Sequence, residues 1–231
     1  MKVHNLYDEK LSIIIPTINE EANIGATLKS IGRARNVEVI VADGGSEDKT
    51  GVIASELGAK VVVCEKGRAK QMNYGASFAN GALLLFLHAD TLVPKGFDKN
   101  LRQILQKPGT AAGAFRLRIA SPGFAFRTLE NFVNLRSRFF QMPYGDQGLF
   151  IKTSTFEELG GFPPLPIMED FVFVRQLRTR GRIVISISSV VTSARRWKKL
   201  GILKTTFINQ LIITAFHLGI SRSQLAEWYN K

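Results

Sequence analysis

The chain has 231 residues, 45% of them hydrophobic, with 31 Lys and Arg against 19 Asp and Glu, a net charge of +12. That length and apolar share suit one large domain or two intimate halves and exclude wholesale disorder, and a single cysteine, Cys64, excludes both a disulfide framework and a multi-cysteine zinc site. The basic balance admits nucleic acid, an anionic membrane or phosphorylated small molecules as partners without choosing among them. Residues 1–10 hold charges and no apolar run of signal-peptide length. Residues 12–15 read as a short buried strand stopped by Pro16. A helical stretch opens at Asn19-Glu20-Glu21 and runs through Leu28 and Ile31. A second strand over 37–42 halts at Asp43-Gly44-Gly45-Ser46. A helix over 48–57, a strand over 61–64, a helix over 68–79 and a strand over 83–87 follow. Cys64 closes the third of these strands and reads as a buried thiol.

This alternation predicts an α/β fold with a mostly parallel sheet covered on both faces. Ligands of such sheets bind beyond the carboxyl ends of the strands, where the 16–20 turn, Asp43 and Asp90 fall. The second half is less regular. A strand is expected over 113–119, and a helix over 124–140 that carries Arg127, Arg136 and Arg138. Turn-rich loops occupy 143–148 and 160–164, then come a helix over 169–180, a strand over 183–187 and helices over 200–218 and 221–229. The 200–220 stretch is broken by Lys204, Asn209, Gln210 and His217. No stretch reaches the roughly 18 uncharged apolar residues of a membrane span. The expectation is a single domain over 1–231, with a 1–92 half and a 93–231 half, in a cytoplasmic protein that can touch a membrane surface.

Five short stretches carry chemistry, and each has a plainer reading. Asp43-Gly44-Gly45-Ser46 offers a carboxylate to a base or ribose beside glycines that allow close approach, or it is an ordinary turn with Ser46 or Asp48 as helix cap. Gly67-Arg68-Ala69-Lys70 opens a helix whose free N–H groups and positive charge suit a diphosphate, or it is a solvated basic turn; the Walker spacing is absent. In His88-Ala89-Asp90 the carboxylate suits Mg²⁺ or Mn²⁺ or a turn cap, and His88 is a softer ligand or a core residue. Glu169-Asp170 can supply a general base, or two acids that stabilise a helix N-terminus. Arg195-Arg196-Trp197-Lys198-Lys199 before an apolar helix suits a membrane surface, a phosphate or a solvated turn. No nucleic-acid-binding module is recognisable.

Taken in order, these stretches resemble the family 2 glycosyltransferases of GT-A fold, over about residues 11–197. "SIIIPTINEEANI" is similar to that family's opening strand and turn, and "VADGGSEDKT" to its second strand with the nucleotide-binding Asp. "GRAKQMNYGA" and "LLLFLHAD" resemble its diphosphate-side helix and Asp-x-Asp segment. "GGFPPLPIMEDFVFVRQLRTRG" looks like its acceptor loop and Glu-Asp pair, and "YGDQG" like small bacterial members. The resemblance implies a nucleoside-diphosphate sugar donor, a hydroxyl acceptor that can be lipid-linked, and transfer with inversion, assisted by Mg²⁺ or Mn²⁺. Pro16, Thr17 and Glu20 would line the nucleotide pocket and Asp43 would hold base or ribose. Arg68 would lie by the diphosphate and Asp90 would hold the metal. Asp170 would be the base with Glu169 beside it, and Asp146 and Gln147 would lie near the acceptor. Arg195-Arg196-Trp197 is similar to the Gln-x-x-Arg-Trp segment of processive synthases without its glutamine. Two departures stand out: His88 replaces the first Asp of Asp-x-Asp, and Met72 replaces an Arg before the helix Asn, leaving Arg68 or Lys70 to substitute. The competing readings are a nucleotidyltransferase, disfavoured because Pro16-Thr17-Ile18-Asn19-Glu20 is no glycine-rich loop, a non-catalytic nucleotide-sugar binder, and a basic nucleic-acid-binding protein.

Overall fold

In β1 (Leu11–Thr17) the side chains of Leu11, Ile13, Ile14 and Ile15 are all fully buried. A strand apolar on both faces needs a layer on each side. On one face, Leu11, Ile13 and Ile15 pack with Ile24, Leu28 and Ile31 of α1 (Glu21–Ile31), Ala54 of α2 (Thr50–Glu56), and Phe97, Leu101 and Ile104 of α4 (Phe97–Leu105). On the other, Ile14 packs with Ala69 and Met72 of α3 (Arg68–Ser77), Phe156 of α6 (Thr153–Glu158) and Phe171 and Phe173 of α7 (Glu169–Leu177). A Cβ on Gly75 of α3 would stand 2.6 Å from Ile14 Cγ2, so glycine there sets how closely this layer lies on the sheet. The computed structural model describes residues 9–32, 34–218, 220, 224, 225 and 228. The helix expected over 221–229 and residues 1–8 therefore lie largely or wholly outside the described residues.

One eight-stranded sheet runs through both halves of the chain, in the order β3-β2-β1-β4-β7-β6-β8-β5. Its first four strands are parallel: β3 (Lys60–Val63), β2 (Val37–Asp43), β1 and β4 (Leu83–Phe86). β7 (Leu149–Lys152) runs antiparallel between β4 and β6 (Thr110–Ile119). β8 (Arg182–Thr192) is parallel to β6, and the two-residue β5 (Thr91–Leu92) is antiparallel to β8. α5 (Phe124–Phe140) lies over β6, while α8 (Arg195–Leu200) and α9 (Ile202–His217) close the chain's described part.

Pro16 does not stop β1. The strand runs on to Thr17, paired with Asp43. Ile14 accepts from the Leu87 N–H, so even-numbered residues of β1 bond toward β4, and that ladder ends at Ile14 and Phe86. The N–H that proline lacks falls where no strand waits for it. β8 extends beyond 183–187 because its second half, past a bulge, pairs with Arg116–Ile119 of β6. α4, α6 and α8 were not expected as helices, nor β5 and β7 as strands; α4 shows Phe97, Leu101, Ile104 and Leu105 at helical spacing.

At the edge opposite the strand ends, Glu38 accepts hydrogen bonds from Lys10 Nζ (2.6 Å), Ser12 Oγ (2.5 Å) and the Asn80 N–H (2.7 Å). Partial burial works against its charge, yet these donors hold its pKa down at about 2. A depressed carboxylate stabilises the fold above its unfolded value of 4.5 and loses that contribution as pH falls toward 2. Glu38→Gln is expected to cost about 1–2 kcal/mol at pH 7, with the difference from wild type shrinking below pH 4.5 in urea titrations.

Candidate active site

The carboxyl ends of β1 and β4 open on a cleft of about 610 Å³. Its floor is set by two side chains. The Gln71 amide of α3 donates to Thr17 O (2.7 Å) and Ala42 O (2.9 Å) and accepts from the Gly67 N–H (3.2 Å), so it ties two strand ends to the start of α3. Asp43 accepts from Thr17 Oγ1 (3.1 Å) and from the backbone N–H and hydroxyl of Ser46. Asp43 is only 6% exposed and stands behind Thr17 rather than on the cleft wall.

Pro16, Thr17 and Glu20 form one wall with Asp90. Arg195, from the N-terminus of α8, reaches across to both acids: its Nη2 is 2.7 Å from Glu20 Oε1 and 3.7 Å from Asp90 Oδ2. Burial and the neighbouring Glu20 charge raise the Asp90 pKa, and Arg195 pulls against them. Arg196 and Trp197 line the same side; burial and the Arg68 charge lower the Arg196 pKa, opposed by Asp146.

The facing wall is α7 and the loop before β7. Met168, which precedes α7, has φ of +65°, a left-handed conformation that costs a non-glycine residue roughly 1–2 kcal/mol. It turns Glu169 inward. Arg68 Nη1 lies 3.3 Å from Glu169 Oε1 without hydrogen-bond alignment, an ion pair held by charge. Burial first, and then the charge of Asp170, push Glu169 up to about 7 against the pull of Arg68. Asp170 Oδ2 accepts the Gly145 N–H at 2.8 Å and Oδ1 accepts its neighbour Phe171 N–H at 2.7 Å, which fixes the carboxylate at the cleft. A Cβ on Gly145 would stand 3.1 Å from His88 Nε2 and 3.2 Å from Asp170 Oδ2, so the glycine lets the loop pass between them.

His88 faces this loop, and its Nε2 is buried without a hydrogen-bond partner. Burial and the Arg68 charge lower its pKa to about 3, so it is neutral across the physiological range. Asp146 lines the cleft; burial raises its pKa to about 6, against the attraction of Arg136 and Arg68 and with the repulsion of Asp170. Gln147 does not reach the cleft. It is fully buried, accepts from Ser137 Oγ (2.7 Å) and donates to Phe115 O (3.0 Å), and so anchors the loop from behind. Two contributors escaped sequence reading, and a third, Arg195, stands in a stretch that reads as facing a membrane or a phosphate rather than as the partner of Glu20 and Asp90. Gln71 carried only the signal of a polar residue at a strand-end level, and Tyr144, under the Arg136 guanidinium at 3.6 Å, sat unread within "YGDQG".

The Asn73 side chain donates to Phe162 O (2.8 Å) and accepts the Phe162 N–H (2.9 Å), binding the Gly160-Gly161-Phe162 loop to α3. The order of these parts along one sheet is matched by a known family: the model described as Glycosyl transferase family 2 covers residues 12–157. The chain belongs to glycosyl transferase family 2. A Mycobacterium bovis PGL/p-HBAD biosynthesis glycosyltransferase is 40% identical over 88 residues, 34% of this chain. The matched region spans about a third of that relative, 34% of its length. Staphylococcus aureus TarS 1–349 in complex with UDP superposes with a TM-score of 0.65 at 24% identity, covering 80% of this chain and 60% of that one. Glucosyl-3-phosphoglycerate synthase from Mycobacterium tuberculosis, solved with Mn²⁺, UDP and glucosyl-3-phosphoglycerate, gives 0.65 at 19%, covering 93% and 81%. The fold is GT-A.

Glu169 gives the site a pH signature. A carboxyl whose pKa is raised to about 7 stabilises the fold in its protonated form, so this contribution is full below 4.5 and is lost as pH rises toward 7. Arg68→Met removes the guanidinium that draws Glu169 down and is expected to move the Glu169 titration above 7, read by carboxyl ¹³C shifts; Glu169→Gln is expected to abolish that transition.

Proposed function

We propose that this family 2 protein transfers a sugar from a nucleoside-diphosphate sugar to an acceptor hydroxyl, with inversion, and with Asp170 as the general base. The observation that carries this reading is the fixed Asp170 carboxylate, held by two backbone N–H groups on the wall opposite Asp90. A base must hold its orientation while a weak hydroxyl nucleophile approaches, and each Asp170 oxygen keeps a lone pair for that proton. Attack from the Asp170 side displaces the diphosphate toward the other wall, and a single displacement inverts the sugar carbon. Glu169 and Arg68 position this end of the cleft, and Asp146 and Tyr144 face the acceptor. Pro16, Thr17 and Glu20 line the donor side, with Asp43 shaping Thr17 from behind.

The donor side also suits a divalent cation. Among the described residues no group of three or more His, Cys, Asp or Glu could hold a metal. Asp90 and Glu20 nevertheless share one cationic partner, the Arg195 guanidinium, so the pair already demands positive charge. One carboxylate with diphosphate oxygens is an ordinary Mg²⁺ or Mn²⁺ site, and Asp90 would hold the ion. Such an ion supplies counter-charge to a leaving diphosphate. Arg68, Arg195 and Arg196 bring further positive charge to the same cleft. The UDP and Mn²⁺ in the structural neighbours support a nucleotide and metal on this fold. A non-catalytic nucleotide-sugar binder would need no oriented base, and that observation favours the transferase.

Asp170→Asn is expected to lower transfer by about 100-fold or more, while UDP or GDP with Mn²⁺ still raises the thermal midpoint; retention of full transfer would overturn the assignment of the base. Arg195→Gln is expected to tighten Mn²⁺ binding severalfold, followed by the loss of the free-ion EPR signal, because the competing guanidinium is gone. Unchanged Mn²⁺ affinity in that variant would place the ion elsewhere.

A further inference from the structure

The outer face of α5 has no work in the cleft, and it is apolar. Phe124, Phe132, Leu135 and Phe139 are 88, 67, 55 and 72% exposed, and Phe140, which ends the helix, is 65% exposed. This is not a loosely docked helix showing part of a core stripe. Its inner face is fully engaged: Phe126, Leu129 and Val133 pack on Leu117, Ile119, Ala194 and Trp197. Asn134 bonds both the N–H (2.8 Å) and the carbonyl (3.0 Å) of Leu117, and Glu130 accepts the Ile119 N–H at 2.6 Å. Arg127 pairs with Glu130 and donates to Ile119 O and Ser121 O. These bonds replace a neighbouring strand along the far half of β6, so the helix cannot roll to bury its phenylalanines.

Charge decides what covers that face. Residues 118–140 contain one acid, Glu130, and it is buried against Arg127; residues 194–220 contain none. Arg138 is exposed among the phenylalanines, and Lys198 and Lys199 are exposed on α8, beside Trp197. A second copy would set like charges against each other in a chain of net charge +12. Phenylalanine and leucine interleaved with basic groups fit the interface of an anionic bilayer, where rings enter the acyl boundary and cations meet phosphates. We infer that the outer face of α5, with the Lys198-Lys199 corner, docks the protein on an anionic phospholipid surface. The inner side of α5 touches cleft-lining Trp197 and carries Arg136 onto Tyr144, so docking holds the cleft beside the lipid and favours acceptors presented there.

This surface is independent of the transfer reading, and its test needs no donor. The full chain is floated with vesicles of phosphatidylcholine alone and of phosphatidylcholine with phosphatidylglycerol, at about 0.15 M salt. Wild type is expected to float with the anionic vesicles only. The triple variant Phe132→Ser, Phe139→Ser, Phe140→Ser is expected to lose about tenfold or more in vesicle affinity with an unchanged thermal midpoint. Should that variant fail to fold, Arg138→Glu, at an exposed position, carries the test with the same expected direction. Transfer to a soluble acceptor is expected to persist in both variants. No flotation of wild type, or equal flotation of wild type and the variants, overturns the proposal. Self-association in sedimentation velocity that the triple variant abolishes, without vesicle binding, also overturns it and gives the face to a second copy.

Discussion

Charge held out of water around one cleft is the constraint on which the rest of this structure turns. Asp90, Asp146 and Glu169 each have a raised pKa because each is buried near another acid, and Arg68, Arg136 and Arg195 stand among them. Buried like charges are tolerated only when cations and backbone donors hold them. The arrangement here leaves the balance incomplete at Asp90 and Glu20, which share one guanidinium, and complete at Asp170, which takes two backbone N–H groups. Perturbed acids gathered at the strand ends of an α/β sheet are the pattern expected of a site that handles a charged ligand.

α3 keeps that balance in place. Its first turn brings Arg68 to Glu169, Gln71 closes the ends of β1 and β2, Asn73 grips the Phe162 backbone, and Gly75 lets the helix sit down on Ile14. One helix thus reaches both the donor-side strand ends and the loop leading to α7. The departure at Met72 has a simple physical reading in this setting. Met72 points into the core beneath the cleft, and the guanidinium that meets the Glu-Asp pair comes from Arg68, one turn earlier.

The second half of the chain spends its polar side chains on geometry. Gln147, Ser137, Asn134 and Glu130 tie α5 and the 143–148 loop to β6, which fixes Tyr144 and Gly145 against Asp170. The same bonds commit the inner face of α5 and leave its phenylalanines outside. Among the described residues no helix is long and apolar enough to cross a membrane.

The parallel half of the sheet was legible because its strands are short continuous apolar runs bounded by turn residues, and shortness and β-branched content, rather than period, separate such runs from helices. The family was legible for a related reason: its short motifs sit at those strand ends in a fixed order. Local sequence also marked Glu169-Asp170 and Arg68, since a charge beside a helix start is visible without knowing what it faces. It could not show that Asp43 turns away behind Thr17, that Gln147 is an anchor within the core, or that Arg195 crosses 175 positions of chain to reach Glu20. β7 was invisible for the same reason, being four residues long and defined by the strands on either side of it. Sequence determined which residues carry charge and where the parallel strands lie, because those depend on neighbours in the chain; the tertiary structure alone decided how far β1 and β8 run and which charges meet, because that depends on contacts between residues distant in it.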